Sequence, residues 1–591
     1  MCGIIGFVGS ERPLGGMLLE GLRRLEYRGY DSWGVAVGQN GSIKVAKKAG
    51  RIIATDPELP EATIGFGHTR WATHGGVTDQ NAHPHVDCTG RFAVIHNGII
   101  ENFRKLRQHL LDSGHEFQSE TDSEVIAHLI EQAVGDNQDV DAVVAAVRSV
   151  FEQMRGLNAF IVLDNHTRHL FAVKNVSPLV LGRSDGGSHI ASDALALVDH
   201  VDQIHFVEDG QVAVIGPGKI QLVNQETGDP ETLDWRPMTL TAVDTGLHGY
   251  PHFMIKEISE QPEVIRRIVT DEIEPVRGLA ELIRASYGTF LVGSGTSSYA
   301  ALSGSYLFSR IARRHVNFTV GSEFKYQEHF LTDKSLVVAL SQSGETADVI
   351  EAVMAAQERG AKIAALVNVP GSTLDRMADY SVHLNAGPEQ CVLSTKAYVA
   401  KVAVLLLAAH ILNGSEHAGR EILWQSVDGI EQLLSPIASD HIRAVAAQIV
   451  DQDHCYIIGR GLSYPTALES ALKIKEVSYI HAEGFAGGEL KHGVIALIDK
   501  GTPAIVFSPL DETRDDILSG AMEMKSRGAV IIGVSPENDE VFDIHVPVAD
   551  VGDGSPIVNV VPAQLLGYQL ALMRDLDPDK PRNLAKSVTV K

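Results

Sequence analysis

Two short glycine loops constrain this chain more than any other feature. Gly293-Ser294-Gly295 and Gly459-Arg460-Gly461 each follow an apolar run of strand length and open a helical pattern, 166 positions apart (459 less 293). At the same offset Glu323-Phe324-Lys325 falls on Glu489-Leu490-Lys491, and one position further Ser341-Gln342-Ser343-Gly344-Glu345-Thr346 meets Ser508-Pro509-Leu510-Asp511-Glu512-Thr513. Apolar runs at 289–292, 335–340 and 363–367 alternate with long amphipathic stretches, the pattern of a parallel sheet covered on both faces. The repeat therefore predicts two doubly wound α/β subdomains. Their divergence is informative. The first copy keeps small polar residues in its strand-to-helix loop, whereas the second substitutes Pro509 and Leu510, so only the first is suited to a phosphate.

The front of the chain has another texture. Short apolar runs at 3–9, 34–38, 92–97, 160–164, 169–174 and 212–216 are broken by Gly, Asp and Asn, with helical patterns at 123–134 and 140–154. This predicts an α+β domain of stacked sheets. Between 228 and 251 the pattern fades into a Pro-, Thr- and Asp-bearing stretch that reads as a linker. A length of 591 residues fits two to four domains.

Composition excludes several function classes. The net charge of −25 repels phosphate backbones, so nucleic acid is not an expected partner. The longest apolar run, 402–412, is too short to span a bilayer and reads as a buried helix. Cys2, Cys88, Cys391 and Cys455 show neither CxxC spacing nor disulfide density, which fits a reducing, cytosolic setting. No signal-peptide pattern follows Met1. Walker A, HExxH and zinc-type Cys/His spacings are absent, so no cofactor and no metal is expected.

Chemistry concentrates at Cys2. Removal of Met1 would leave a free α-amine beside the thiol, and an N-terminal nucleophile can use its own amine, of pKa about 8, as general base. Amide hydrolysis through a thioester follows. A glutamine side chain attacked in this way needs an oxyanion hole, a cation for its α-carboxylate and an anion for its α-ammonium. Asn97-Gly98, Arg70 and Asp122 are candidates for the three. Each has a plainer rival: Asn97-Gly98 also suits a type I′ hairpin turn, Arg70 a surface ion pair, and Thr121-Asp122-Ser123-Glu124 a capping box.

Further on, Ser341, Gln342, Ser343 and Thr346 stand between a strand ending near 340 and a helix starting near 347. Hydroxyls, N–H groups and the helix dipole favour a phosphate dianion there, although a polar helix cap reads the same way. Glu469, Lys473 and Glu476 recur at i, i+4 and i+7 on one helix face, able to present a base and a cation to a sugar or simply to form a solvent-facing ion pair.

The segments Cys2-Gly-Ile-Ile-Gly6, Arg24 to Ser32, Gly67-His-Thr-Arg-Trp-Ala-Thr-His-Gly75, His96-Asn-Gly98 and Glu120-Thr-Asp122 resemble the glutaminase domain of the isomerising glutamine–fructose-6-phosphate aminotransferases. Gly293 to Ser297, Ser341 to Thr346, Ser394-Thr-Lys396, Glu469 to His492 and Pro581 to Thr589 are similar to the family's sugar-isomerase half. The resemblance implies an N-terminal nucleophile sandwich (class II glutaminase) followed by two SIS-type sugar isomerase subdomains. It implies a domain at 1–227, a linker at 228–255, subdomains at 256–430 and 431–570, and an active-site tail at 571–591. It makes Cys2 the nucleophile, Asn97 and Gly98 the oxyanion hole, Arg70, Thr73, His74 and Asp122 the glutamine clamp, and Trp71 the gate on the ammonia path. In the sugar half it adds Thr296 and Ser297 from the first glycine loop to the sugar-phosphate site, and Ser394 near the sugar. It gives Glu476 proton transfer between C1 and C2, with Glu469 and Lys473 beside it, and His492 the ring opening. Lys586 becomes the amine that forms a Schiff base with the C2 ketone. Two departures are Trp33, where the family usually has a small residue, and Ser294, where it often has cysteine; the first bears on packing near Arg28. The implied substrates are glutamine and fructose 6-phosphate, with no cofactor and a homodimer in which His492 reaches the partner's site. Two alternatives remain: an amidotransferase acting on another phosphosugar, and a phosphosugar-binding regulator.

Overall fold

In the computed structural model, which describes residues 2–39, 41–53, 57–238 and 246–589, the chain divides into two units. Leu247–Leu584 forms one; the residues before it, together with the segment from Ala585, form the other. Met1, residues 239–245 of the expected linker and residues 590–591 of the expected tail lie outside the described residues.

The first unit is a stack of two antiparallel sheets between helices. The eight-stranded sheet carries Gly3–Arg12 flanked by Gly187–Ala191 and Ala62–Arg70. The seven-stranded sheet carries Phe92–Gly98 beside Asn158–Asp164. Period-two alternation decides which side chains meet between the sheets: Ile4, Val8, Ile64, Phe66, Ile95, Ile161 and Leu163 share one core. The opposite faces are closed by helices. Leu14–Arg24 packs on the first sheet through Leu14, Leu18 and Leu22, and Glu124–Val134 with Val140–Gln153 covers the second through Val125, Leu129, Val143 and Val147. Trp33 is absorbed in the core under Leu14–Arg24, while Arg28 is held by an ion pair with Asp193 at 2.5 Å; the larger side chain leaves that region well packed.

In the second unit the repeat becomes two five-stranded parallel sheets of identical topology. One runs Asn317–Val320, Gly288–Gly293, Ser335–Ser341, Lys362–Val367, Tyr380–His383 across the sheet; the other runs His481–Ala486, His454–Gly459, Pro503–Phe507, Val530–Ser535, Ile544–Pro547. In chain order both read 2-1-3-4-5. This places the topological switch between the first and third strands, where ligands of open α/β sheets bind. Helix Lys396–Leu412 is buried almost throughout, as the apolar run at 402–412 predicts. Gly552–Met573 has the length and composition to cross a membrane, but most of it is buried inside the protein, as a core element is.

Element ends are where the expectations fail. The linker start at 228 is displaced, because Pro230–Glu231 and Arg236–Pro237 pair as short strands in the two sheets of the first unit. The borders expected at 430 and 570 fall inside helices Glu416–Leu433 and Val561–Met573. Apolar periodicity reports an element's interior, and two-residue edge strands and continuous helices leave no such signal at a border.

Candidate active sites

Antiparallel register builds the first site. Gly3 pairs with Thr69, so Cys2 emerges opposite the turn at Arg70-Trp71, and the Trp71 N–H donates to Cys2 Sγ at 3.1 Å. The start of the strand is pinned by Gly3 N–H to Thr69 Oγ1 at 3.0 Å and by Ile4 N–H to Ser192 Oγ at 2.9 Å. Burial raises the Cys2 thiol, while the Trp71 N–H and the Arg70 charge pull the other way. Such a thiol needs a base close by, which the α-amine of residue 2 supplies when it is terminal.

Asn97 lies at the end of Phe92–Gly98, paired with Ala159 rather than placed in a hairpin turn. Its Nδ2 donates to Cys2 O at 3.0 Å, and its Oδ1 lies 3.1 Å from His68 Nε2. The same His68 nitrogen faces His96 O at 3.0 Å. A carbonyl only accepts, so His68 carries its proton on Nε2 and donates to both; the Asn97 NH₂ must then point to the Cys2 side. Burial keeps the ring neutral, its pKa lowered to about 3. His68 is a positioning residue that sequence reasoning missed, though it stands inside the Gly67 to Gly75 motif. Replacing it by phenylalanine is expected to lower the glutaminase kcat by roughly 10 to 100-fold with a smaller change in KM, by freeing the amide to rotate; unchanged kcat in steady-state assays of glutamate release would remove this role. Gly98 has φ +139°, and a Cβ there would stand 2.3 Å from Leu157 O, so only glycine lets the backbone turn beside the thiol.

Cys2, Arg70, Trp71, Thr73, Asn97, Gly98 and Asp122 line one cleft of about 420 Å³, open to solvent, with Thr589 among its walls. Asp122 is buried, and its Oδ2 accepts the Ile100 N–H at 2.8 Å. The capping-box alternative fails. Glu124 turns instead to the N–H groups of Gln118 and Ser119, each at 2.7 Å, and the N-cap Ser123 makes no side-chain cap bond. Arg70 is buried rather than on the surface, and its guanidinium donates to the carbonyl oxygens of His74, Gly75 at 3.3 Å and Gly76 at 3.2 Å, so it also shapes the loop. The His74 ring packs edge-on against Phe103 at 5.0 Å, while its backbone carbonyl stays beside the Arg70 guanidinium.

In the second unit Gly293 and Leu340 are register partners, so the Gly293 and Ser341 loops leave adjacent strands at the switch point. Thr346 stands at the N-cap position of helix Ala347–Glu358 without a side-chain cap bond. Ser341 Oγ accepts the Gly344 N–H at 2.9 Å and lies 3.2 Å from Thr346 Oγ1, and Ser343 Oγ accepts the Glu345 N–H at 3.2 Å. Gly344 has φ +69°, and a Cβ would stand 1.9 Å from Ser372 Oγ. The sister loop explains its own divergence. Asp511 Oδ1 accepts the Thr513 N–H at 2.8 Å and hydroxyl at 2.6 Å, so a carboxylate of the chain already serves the helix start that the first copy leaves to hydroxyls.

Glu469 and Lys473 are buried on helix Ser463–Ser478 and Glu476 is partly buried beside them, so the row does not face solvent. Lys473 Nζ stands 2.8 Å from Glu476 and 3.5 Å from Glu469, and donates to Thr296 Oγ1 at 3.0 Å and to Ser394 O at 3.3 Å. The Thr296 hydroxyl in turn donates to Glu469 at 3.2 Å. The row thus joins both subdomains beside the first glycine loop. Burial, helped by Glu476 and opposed by Lys473, raises Glu469 to about 7. Burial works against the Lys473 charge, yet the two carboxylates outweigh it and raise its pKa. Ser297 is buried beside Thr296, and Ser394 Oγ donates to Glu389 at 3.0 Å. Gln342 is partly buried in the loop. His492, at the end of the turn Gly487–His492, is exposed and outside the row. Lys586 falls in the segment from Ala585 that belongs to the first unit.

Comparison with known proteins bears on both sites. The model for a glutamine amidotransferase domain matches residues 68–199, and that for the SIS domain matches 282–411 and 448–574. The chain is 43% identical to glutamine–fructose-6-phosphate aminotransferase [isomerizing] of Thermococcus kodakarensis and 40% identical to that of Pyrococcus horikoshii, with 100% of each chain covered in both cases. The chain belongs to this family. Among solved structures, the C-terminal domain of glucosamine-fructose-6-phosphate aminotransferase from Francisella tularensis matches with a TM-score of 0.52 at 32% identity, over 57% of this chain and 99% of that one. Tagatose-6-phosphate ketose/aldose isomerase from Escherichia coli, at 18% identity and a TM-score of 0.50, shares the fold. The family membership accounts for the presence, in one chain, of a Cys2 cleft and a doubled α/β unit with a hydroxyl-rich loop.

Proposed function

We propose that the chain transfers the amide nitrogen of glutamine to fructose 6-phosphate, giving glutamate and glucosamine 6-phosphate. The observation that carries this reading is a single one: a cysteine at residue 2 whose carbonyl oxygen accepts from the Asn97 amide and whose thiol accepts from the Trp71 N–H, in a chain whose other unit holds a phosphate-type loop beside an acid–cation–acid row. At Cys2 the α-amine takes the thiol proton, the thiolate attacks the amide carbon, and the oxyanion is held by Asn97 Nδ2 and the Gly98 N–H. Ammonia leaves past Trp71, and water hydrolyses the thioester to glutamate. Arg70, Thr73 and Asp122 hold the α-groups of glutamine, with His74 supporting the loop.

In the second unit, Thr296, Ser297, Ser341, Gln342, Ser343 and Thr346 hold the sugar phosphate, with Ser394 near the sugar. His492 of a second copy opens the ring, the Lys586 amine condenses with the C2 ketone with loss of water, and ammonia then displaces the lysine amine from C2 to leave the ammonia-derived imine. Glu476 then moves a proton from C1 to C2, its charge balanced by Lys473. The isomerisation oxidises C1 as it reduces C2, so no external redox cofactor enters. The exposure of His492 supports a homodimer, and four free cysteines support a cytoplasmic setting.

The test is direct. Glutamate and glucosamine 6-phosphate, measured separately after incubation with glutamine and fructose 6-phosphate, should rise together; glutamate alone would point to a different acceptor. Lys586, assigned by family likeness to the Schiff base with C2, gives a second test. Lys586→Ala is expected to slow synthesis by roughly 10³-fold or more while glutamine hydrolysis continues, and a normal rate of amino-sugar formation would rule that assignment out.

A further inference from the structure

Away from both sites, four side chains remote in sequence converge in the first unit. Cys88 lies in the loop between His85–Val86 and Phe92–Gly98, His115 follows helix Phe103–Asp112, and His128 and Glu131 sit one turn apart on helix Glu124–Val134. One sulfur, two imidazole nitrogens and one carboxylate oxygen lie within 4.8 Å of one another. Cys88 Sγ is 3.5 Å from His128 Nδ1 and 3.8 Å from His115 Nδ1; Glu131 Oε2 is 3.0 Å from His115 Nδ1 and 3.2 Å from His128 Nδ1. Ligands bound tetrahedrally at about 2.0–2.3 Å stand about 3.3–3.8 Å apart along each edge, so these separations are close to those of such a shell before the ion draws it into shape.

The surroundings fit a cation. His128 is 1% exposed, and its Nε2 is buried with no hydrogen-bond partner, 3.7 Å from Glu124 Oε1. An imidazole that gives Nδ1 to a metal must carry its proton on Nε2, and here that proton points at a carboxylate. Glu124 is itself fastened by the Gln118 and Ser119 N–H groups. Without an ion, Glu131 Oε2 is shared by His115, His128 and the Cys88 N–H at 3.2 Å, while the thiol faces both rings.

We propose that Cys88, His115, His128 and Glu131 form a structural Zn²⁺ site. A thiolate with two imidazoles selects against Mg²⁺ and Ca²⁺, which take oxygen shells, and one thiolate plus one carboxylate neutralise the divalent ion. All four positions are filled by the chain, which makes the site closed and structural, not catalytic. The ion would tie together three segments under the glutamine cleft. The strand that carries Asn97 begins four residues after Cys88, and the helix that carries His128 begins two residues after Asp122.

The test uses the full-length protein without a histidine tag, grown with added zinc, dialysed and analysed by plasma mass spectrometry. About one zinc per chain is expected, falling to less than roughly a tenth in Cys88→Ala and in His115→Ala. Metal-depleted wild-type protein titrated with Co²⁺ should develop a thiolate-to-cobalt charge-transfer band and tetrahedral d–d bands. This second measurement does not depend on any variant folding. Absence of both zinc and the charge-transfer band in the wild type would overturn the proposal, as would zinc retained equally by both variants.

Discussion

Cys2→Ala protein is expected to release no glutamate from glutamine above a background lower by roughly 10⁴-fold or more, because in the proposed thioester route the thiol forms the covalent bond to the amide carbon. The substitution removes one sulfur and leaves the backbone that accepts from Asn97 Nδ2 at 3.0 Å, so binding of glutamine should persist. The sugar reaction lies in the other unit and does not use the thiol. Conversion of fructose 6-phosphate supplied with ammonia, or its isomerisation alone, should therefore continue. Glutamate release is measured by a coupled dehydrogenase assay, glutamine binding by calorimetry. If hydrolysis survives in Cys2→Ala, the thioester route is wrong; if binding is lost as well, the thiol also holds the cleft in shape.

Glu476→Gln should have the complementary effect. Glutamine keeps the shape and a hydrogen-bonding oxygen near Lys473 but cannot take a proton from C1, so kcat for amino-sugar formation should fall by about 10² to 10⁴-fold. KM for fructose 6-phosphate should change little, since the phosphate is held by a different loop. Lys473 keeps Glu469 at 3.5 Å as a counter-charge, so the fold should survive. Glutamine hydrolysis should be untouched. Exchange of the C1 proton with deuterated solvent gives an independent readout: it should vanish with the carboxylate, and its persistence would move the base to another residue. Glu469, raised to about 7 beside it, is the first alternative.

The two effects separate because the two sites are encoded differently in the chain. The hydroxyl-rich loop was legible from local sequence: an apolar run, a cluster of hydroxyls and a helical pattern place Ser341 to Thr346 at a helix start, and the helix begins at Ala347 as expected. The inward face of Glu469, Lys473 and Glu476 was legible as a face only. A spacing of i, i+4, i+7 gives the same row in solvent or in a core, and what decides between them is the packing of helix Ser463–Ser478 against both subdomains. The glutamine cleft was legible as a set of motifs, but the direction of each side chain was not: sequence adjacency to Arg70 and Thr73 says nothing about where the His74 ring turns, and it packs edge-on against Phe103.

From residues alone came the doubled glycine loop with the expectation of two doubly wound subdomains, the stacked sheets of the front domain, and the divergence of the strand-to-helix loop in the second copy; the 2-1-3-4-5 order of both sheets came from the structure. The first three follow from local chemistry and short periods, which a linear chain displays openly. Only the tertiary structure decided that the Asn97 amide faces Cys2 across 95 residues, that His68 sets its direction, that Asp511 serves the sister loop, and that Cys88 meets two histidines and a glutamate. Those arrangements are fixed by strand register and by helices packing on sheets, through-space relations between residues with no set spacing, and so no local pattern carries them.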